Sequence, residues 1–331
     1  MNSDSLSPVG QPDAVLQPES RLAAWRDLLA QCARKPSRKR VHGLRSLTLR
    51  LRMTLPQELP GEPAGTAAAR AFRRWSKAGR KLRKALEPVR NADVYLARLG
   101  SLRDPGAQTP ADAAQPGPRC QREISLMESR LRRERQADSE KLTAVLDAGG
   151  KRLNRLSREM EAALARPGLS SHSTGQAALE IFAGMTREFP TLDSGNLHAY
   201  RKRLKQALYL AESSAASDPL AARMAAAFRR IHDAAGEWHD WQALALEASQ
   251  LLPGKNNPDG LIPLLDALAE KALQRALVRC RRTAMRFLKN TAEAHPGPPR
   301  KPVASDPAFR SQDECLSLGI SRYSGSPIAM L

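Results

Sequence analysis

Two helical segments 156 positions apart restrict what this chain can fold into more than any other feature. The first is Val41 to Arg52, VHGLRSLTLRLR. Wound at about 100° per residue, it places His42, Arg45, Leu49 and Arg52 on one side, with Arg38 a turn earlier, and Leu44, Leu47, Leu51 and Leu55 on the other. The second is Leu197 to Glu212, LHAYRKRLKQALYLAE, with His198, Arg201, Lys202 and Lys205 on one face and Leu197, Tyr200, Leu204 and Ala207 opposite. His42 and His198 set the offset of 156, and Ala71-Phe72-Arg73-Arg74 returns as Ala227-Phe228-Arg229-Arg230 at the same offset. Two independent markers at one spacing point to an internal duplication. Arg90-Asn91 and His239-Asp240 form a third pair, offset by 149. The difference is about two helical turns, which changes facing by only ~20°. The simplest architecture is all-α, two related helical-bundle halves packed on each other.

Proline and glycine predict where the helices stop. Residues 1–18 hold three prolines and many small polar residues, the composition of a disordered tail. A short amphipathic helix with Leu22, Trp25, Leu28, Leu29 and Cys32 comes next; Pro36 ends it, and Ser37 is the expected N-cap of the first histidine helix. Pro56 and the LPGEP segment close that helix. The next, from about Ala64, carries Arg70, Arg73, Arg74, Lys77, Arg80, Lys81 and Lys84 within roughly a third of its circumference, opposed by Phe72, Trp75, Leu82 and Leu86. Pro88 is expected to interrupt it, before a further helix with Arg90, Asp93, Tyr95 and Leu96. Asp104 to Pro118 reads as a flexible loop. Helices are then expected over 120–147 and 150–165, split at Gly149-Gly150, over 174–188, at the second histidine segment, and over 219–235, 237–251 and 258–293. The organisation is a tail (1–18), a helical domain (19–293, halves 19–168 and 169–293) and a C-terminal tail (294–331) rich in Pro, Gly and Ser.

Charge narrows the partners. Against 34 acidic residues stand 53 Lys and Arg, a net +19. Such an excess attracts polyanions, whether nucleic acid, anionic membrane or polyphosphate. Aromatics make up 4% of the chain, which suits packed helices better than sheets and argues against stacking on single-stranded bases. Cys32, Cys120, Cys280 and Cys315 lie far apart with no C-x-x-C spacing, so they read as reduced thiols rather than zinc ligands. With no signal-like N-terminus and no long apolar run, the expectation is a cytoplasmic, soluble protein.

The two histidine segments resemble the CHAD domain, the conserved histidine α-helical domain. His198, Arg201, Arg203, Lys205, Tyr209 and Glu212 match that family's H-x-x-R-x-R-x-K…Y…E run. The first segment fits through Val41, His42, Arg45, Thr48, Arg50 and Arg52. Leu86–Val94 (LEPVRNADV) and Ala235–Trp241 (AGEWHDW) look like its L-G-x-x-R-D-x-D-V and L-G-x-x-N-D elements. Departures are Leu49 where arginine is usual, Asn91 where aspartate is usual, and Gln206 and Leu208 at usually basic positions. The resemblance covers about residues 20–293. It implies two pseudo-symmetric helical halves, binding of inorganic polyphosphate in a basic central cleft, and frequent association with polyphosphate granules. In several relatives a CYTH-type triphosphatase domain accompanies the domain. Its E-x-E-x-K strand has no counterpart here, since Glu159-Met160-Glu161 lies in a helical segment with Ala163 where Lys is required.

Polyphosphate has no bases, so its receptor needs cations along a groove. Arg supplies forked bonds to phosphate oxygens and Lys a point charge. The candidate binding residues are His42, Arg45, Arg50, Arg52, Arg73, Arg74, Lys77, Arg80, Lys81, Lys84, Arg90, His198, Arg201, Lys202, Arg203, Lys205, Arg229 and Arg230. Both histidines are expected in the first turn of their helices, where unpaired N–H groups attract anions. His232 and His239 read as packing residues, and Asp93, Asp240 and Glu212 as orienters of neighbouring arginines. His172 and His295 have no case for a role. No P-loop, G-x-S-x-G or H-E-x-x-H motif is present, so a non-catalytic protein without metal or cofactor is expected. Nucleic-acid binding and a helical scaffold for acidic partners are the alternatives.

Overall fold

A computed structural model describes residues 18–55, 66–103, 116–164, 174–252 and 257–294. They form eight helices: α1 (Pro18–Arg34), α2 (Arg38–Thr54), α3 (Ala67–Arg103), α4 (Pro118–Leu164), α5 (Thr174–Glu188), α6 (Leu197–Ser214), α7 (Pro219–Leu251) and α8 (Leu261–Ala294). No strand occurs among the described residues. The fold is all-helical. The described residues up to Phe287 belong to one compact unit, and the end of α8 from Leu288 to a second. Both predicted tails, the 104–118 loop apart from its last residues, the LPGEP segment, the point near 168 where the halves would meet, Cys315, His172 and His295 lie outside the described residues.

Three expected helix breaks are absent. α3 runs straight through Pro88. Proline there removes one N–H donor, but Pro88 is exposed, so the carbonyl freed on the preceding turn is available to water. α4 continues through Gly149-Gly150; Leu146 and Leu153 on either side are buried, and tertiary packing outweighs the ~1 kcal/mol per glycine that propensity alone would cost. α7 joins the segments expected on either side of Gly236.

Apolar stripes at helical spacing build the core. In the first four helices Leu22, Trp25, Val41, Leu44, Leu51, Trp75, Leu82, Leu86, Leu146 and Met160 share one cluster. Trp25 and Trp75 meet edge to face with ring centres 5.7 Å apart. The Trp25 indole donates to Thr48 Oγ1 at 2.7 Å, while that hydroxyl donates to the Leu44 carbonyl. Gly79 lets α3 approach here, since a Cβ would sit 3.1 Å from the Thr48 methyl. Thr48, part of the family-like run, is therefore a packing residue. In the second set of helices Phe182 and Phe228 pack at 4.6 Å, and Tyr200, Leu204 and Ile231 are buried beside them. Ser37 caps α2 as expected, accepting from the Arg40 N–H. Cys32, Cys120 and Cys280 are buried free thiols. No described helix is long and apolar enough to cross a membrane.

The two sets of helices meet through α2, α3, α6 and α7. α2 packs on α3 and α6 on α7, while α2 also touches α6 and α3 touches α7.

Candidate anion-binding site

At the junction of α2, α3, α6 and α7, cations outnumber carboxylates. Two acidic residues anchor its ends. Asp240 on α7 accepts from Arg90 (3.3 Å) and Arg98 (3.5 Å) of α3, and Arg98 also lies over the Trp241 ring, 5.0 Å from its centre. Glu212 on α6 accepts from Arg50 of α2 at 2.9 Å and from Arg229 of α7. Arg50 in turn lies over the Tyr209 ring. Each carboxylate therefore ties helices from opposite ends of the chain together.

Between the clamps α6 presents Arg201 and Lys205, one turn apart. Arg201 is 9% exposed, and its Nε is buried without a hydrogen-bond partner. No carboxylate among the described residues comes within ion-pair distance of either side chain. Gly236 makes room for the guanidinium, because a Cβ there would lie 3.3 Å from Arg201 Nη2. Lys205 is half-buried and closely surrounded by protein. Burial first, then Arg201, Arg83, Arg45 and Arg90, hold its pKa well below the usual lysine value. Arg45 donates to the Arg83 carbonyl at 2.7 Å and to Glu87 at 3.1 Å. Three helices thus bring their positive charges to one place, where each makes the others' charged forms less favourable.

Histidines flank the cluster. His198 and His239 lie against each other with ring centres 4.8 Å apart and planes tilted by 46°. Burial, followed by Lys202, Arg201 and Lys205, pushes His198 down to about 4. Burial, Arg201 and His198 push His239 to about 4. Both rings are neutral at pH 7. His42 is exposed on α2; the surrounding protein, then Arg90, Arg38 and Arg45, lower its pKa against the opposing pull of Asp240. His198 is the second residue of α6, in the first turn as expected. His42 is the fifth residue of α2, so the helix-terminus argument does not apply to it.

The chain's match to the CHAD domain family covers residues 18–245, more than half its length. The chain belongs to the CHAD domain family. Among solved structures it is similar to PptA from Streptomyces chartreusis, with a TM-score of 0.53 and 14% identity over 82% of this chain and 98% of that one; at that identity the likeness concerns the helical fold. No curated protein matches.

In this CHAD domain the residues chosen from sequence divide in two. His42, Arg45, Arg50, Arg90, His198, Arg201, Lys205 and Arg229 converge at the junction, and Arg52 borders it through Ser76 Oγ at 3.1 Å. Others turn outward. Arg74 pairs with Glu159 of α4 at 3.1 Å, Arg203 with Glu188 of α5 at 2.9 Å, and the Arg230 carbonyl accepts from Arg279 of α8. Arg73, Lys77, Lys81, Lys84 and Lys202 are exposed and Arg80 is half-buried. On α3 the face toward α2 carries Ser76, Arg83 and Arg90, and Lys81 points about 160° away from Arg83. Arg83, Arg98, His239 and Gly236 were missed by sequence reasoning. Arg83 was legible as the middle of Ser76–Arg83–Arg90, a repeat of seven; the other three depend on which α7 residues face α3 and α6.

Asp240 and Glu212 orient arginines, as expected. Asp93 also serves an arginine, Arg135 of α4 at 2.8 Å, but away from the junction. His232 lies against Asp233. Glu159 and Glu161 lie on a helix and are engaged by Arg74 and Arg26 respectively. No group of three His, Cys, Asp or Glu among the described residues is placed to hold a metal.

Proposed function

We propose that this CHAD domain binds inorganic polyphosphate, without turning it over, in a groove between two related four-helix halves lined by α2, α3, α6 and α7. The observation that carries this reading is Arg201. A buried charge is ordinarily held by a partner, yet this guanidinium is nine-tenths buried with no carboxylate in ion-pair reach among the described residues. Lys205 beside it lacks one too. The matching charge comes from outside, and it is anionic. A row of cations on three helices, rather than one closed pocket, suits a linear anion with a charge on every unit.

The neutral His198–His239 pair supplies a second device. A phosphate beside it favours the imidazolium, so binding brings protons in along with the anion. Arg73, Arg74, Lys77, Arg80, Lys81, Lys84, Lys202, Arg203 and Arg230 form an outer rim, where solvent and salt screen them and they steer more than they hold. Such binding would bring the protein to polyphosphate granules in the cytoplasm.

The test is affinity for polyphosphate of defined length in the wild type and in His42→Ala/His198→Ala/Arg201→Ala. Affinity should fall steeply with salt, as counterions are released, and the folded triple variant should lose it. Unchanged affinity in that variant sinks the assignment. Polyphosphate should displace RNA or DNA; displacement only in the opposite sense, at equal charge, would identify a nucleic-acid protein. Capture of acidic proteins that survives polyphosphatase treatment would identify a scaffold.

A further inference from the structure

From Lys271 to Phe287, α8 holds six cationic residues and no Asp or Glu. At about 100° per residue, Lys271, Arg275, Arg279, Arg282 and Arg286 fall within an arc of about 80°. At ~1.5 Å per residue they extend over roughly 22 Å. The buried Ala276, Cys280 and Phe287 face the other way, and Lys271, Arg279, Arg282 and Arg286 are exposed. Among the described residues only Arg275 of these five has a carboxylate, Glu237 of α7 at 2.9 Å. Arg279 donates to the Arg230 carbonyl at 3.1 Å. Arg230 adjoins Arg229, whose guanidinium reaches Glu212. The middle of the stripe, Arg279, thus lies beside Arg230, next to one end of the central cluster.

An ordinary solvated charged face looks different in this same chain. On α4, Arg119 pairs with Glu123, Arg130 with Glu134 and Arg155 with Glu159, each four residues apart. Such pairs steady a helix, whereas like charges three or four residues apart repel. α8 places five in succession with no acid between Lys271 and Phe287 to offset them. An external polyanion would relieve that repulsion.

We propose that this face of α8, with Arg230 of α7, is a second polyphosphate-binding surface that continues from the Glu212 end of the cluster, so that chains too long for the cluster run out along α8. This rests on the polyphosphate reading of the central site. The exposed apolar side chains beside the stripe are Val278 and Met285, and Phe287 is buried. Bases would find no ring to stack on, whereas a phosphate chain needs none.

The experiment uses the full chain with Lys271→Gln/Arg279→Gln/Arg282→Gln/Arg286→Gln, and polyphosphate of two lengths, one short enough for the cluster and one several times longer. The variant is expected to bind the short chain as the wild type does. Its affinity for the long chain should drop at least tenfold, with a log–log salt slope shallower by about 3 for four lost charges. A companion variant with Arg279, Arg282 and Arg286 changed to Lys should retain long-chain affinity, and unfolding midpoints show whether each variant is folded. Equal losses for both lengths, or none for either, overturn the proposal. So does a loss confined to single-stranded RNA, which would make the stripe a nucleic-acid surface. Arg201→Ala separates the two readings: it should abolish short-chain binding, which failure of the α8 proposal alone leaves intact.

Discussion

Replacing Arg201 by methionine separates a group waiting for an anion from one that holds the fold together. Methionine keeps much of the side-chain length and removes the charge. Arg201 is 9% exposed, with its Nε unsatisfied. Burial lowers its pKa, and the charge of Asp240 is the main opposing influence. In the free protein, then, the guanidinium carries a desolvation cost that no close carboxylate offsets. Exchanging a poorly compensated buried charge for an apolar side chain of similar size is neutral or stabilising by about 1–4 kcal/mol. Arg201→Met should therefore unfold at an equal or higher urea concentration than wild type. Polyphosphate affinity should move the other way. One or two charge-assisted hydrogen bonds, each worth about 1.5–3 kcal/mol, correspond to a loss of about tenfold to about ten-thousandfold. Urea titration followed by circular dichroism, beside calorimetric titration with polyphosphate, measures both. If Arg201→Met loses 3 kcal/mol or more of stability, Arg201 is a structural partner of Asp240, and its burial says nothing about a ligand.

Three further outcomes are expected. His198 and His239 sit at about 4 against an ordinary 6.5, so the unfolded chain binds more protons between those values; their contribution to stability is complete above about pH 6.5 and is lost as pH falls toward 4. Urea midpoints at about pH 7.5 and pH 5 should differ less in His198→Gln/His239→Gln than in wild type, while polyphosphate affinity should rise on acidification from about pH 7.5 to 5.5 and be flat in the variant. Gly236→Ala gains up to about 1 kcal/mol of helix propensity but sets a Cβ 3.3 Å from Arg201 Nη2, so affinity should fall severalfold without loss of stability; full affinity would show that Arg201 does not need that seat. Glu212→Ala leaves Arg50 and Arg229 facing each other across α2 and α7 and should cost about 3 kcal/mol in urea unfolding, with Glu212→Gln intermediate; an unchanged midpoint would remove the clamp from the fold.

The helices and most of the convergent cations were legible in the sequence, because an apolar stripe fixes which way a helix faces. Leu44, Leu51 and Leu204 turn inward, and this is enough to aim Arg45, Arg201 and Lys205 at the junction. Helix ends were less legible. Pro88 and Gly149-Gly150 are breakers by propensity, but packing on both sides carries the helices through. The orientation of the Arg70–Lys84 stripe was less legible for a related reason. Its angular spread was correct, yet a solvated face and a lining face have the same composition, and it takes the contacts of Ser76 with Arg52 and of the Arg83 carbonyl with Arg45 to show which edge of α3 turns inward. His239 was read as packing because its neighbours are tryptophans, though its ring meets His198 across a helix boundary.

The placement of Asp240 and Glu212 divides holding the helices from holding a ligand. Each carboxylate takes two arginines, and at least one of each pair comes from α2 or α3. These contacts draw α2 and α3 onto α6 and α7 while neutralising the arginines that make them. Along α6, Arg201 and Lys205 fall between the two clamps and are left with charge to spare. A carboxylate moved next to Arg201 would satisfy it internally and would have to be displaced by every incoming phosphate. With the acids at the ends, an anion bound between them would meet Arg201 and Lys205, which no acid has already claimed. The clamps would hold the helices in place during such binding.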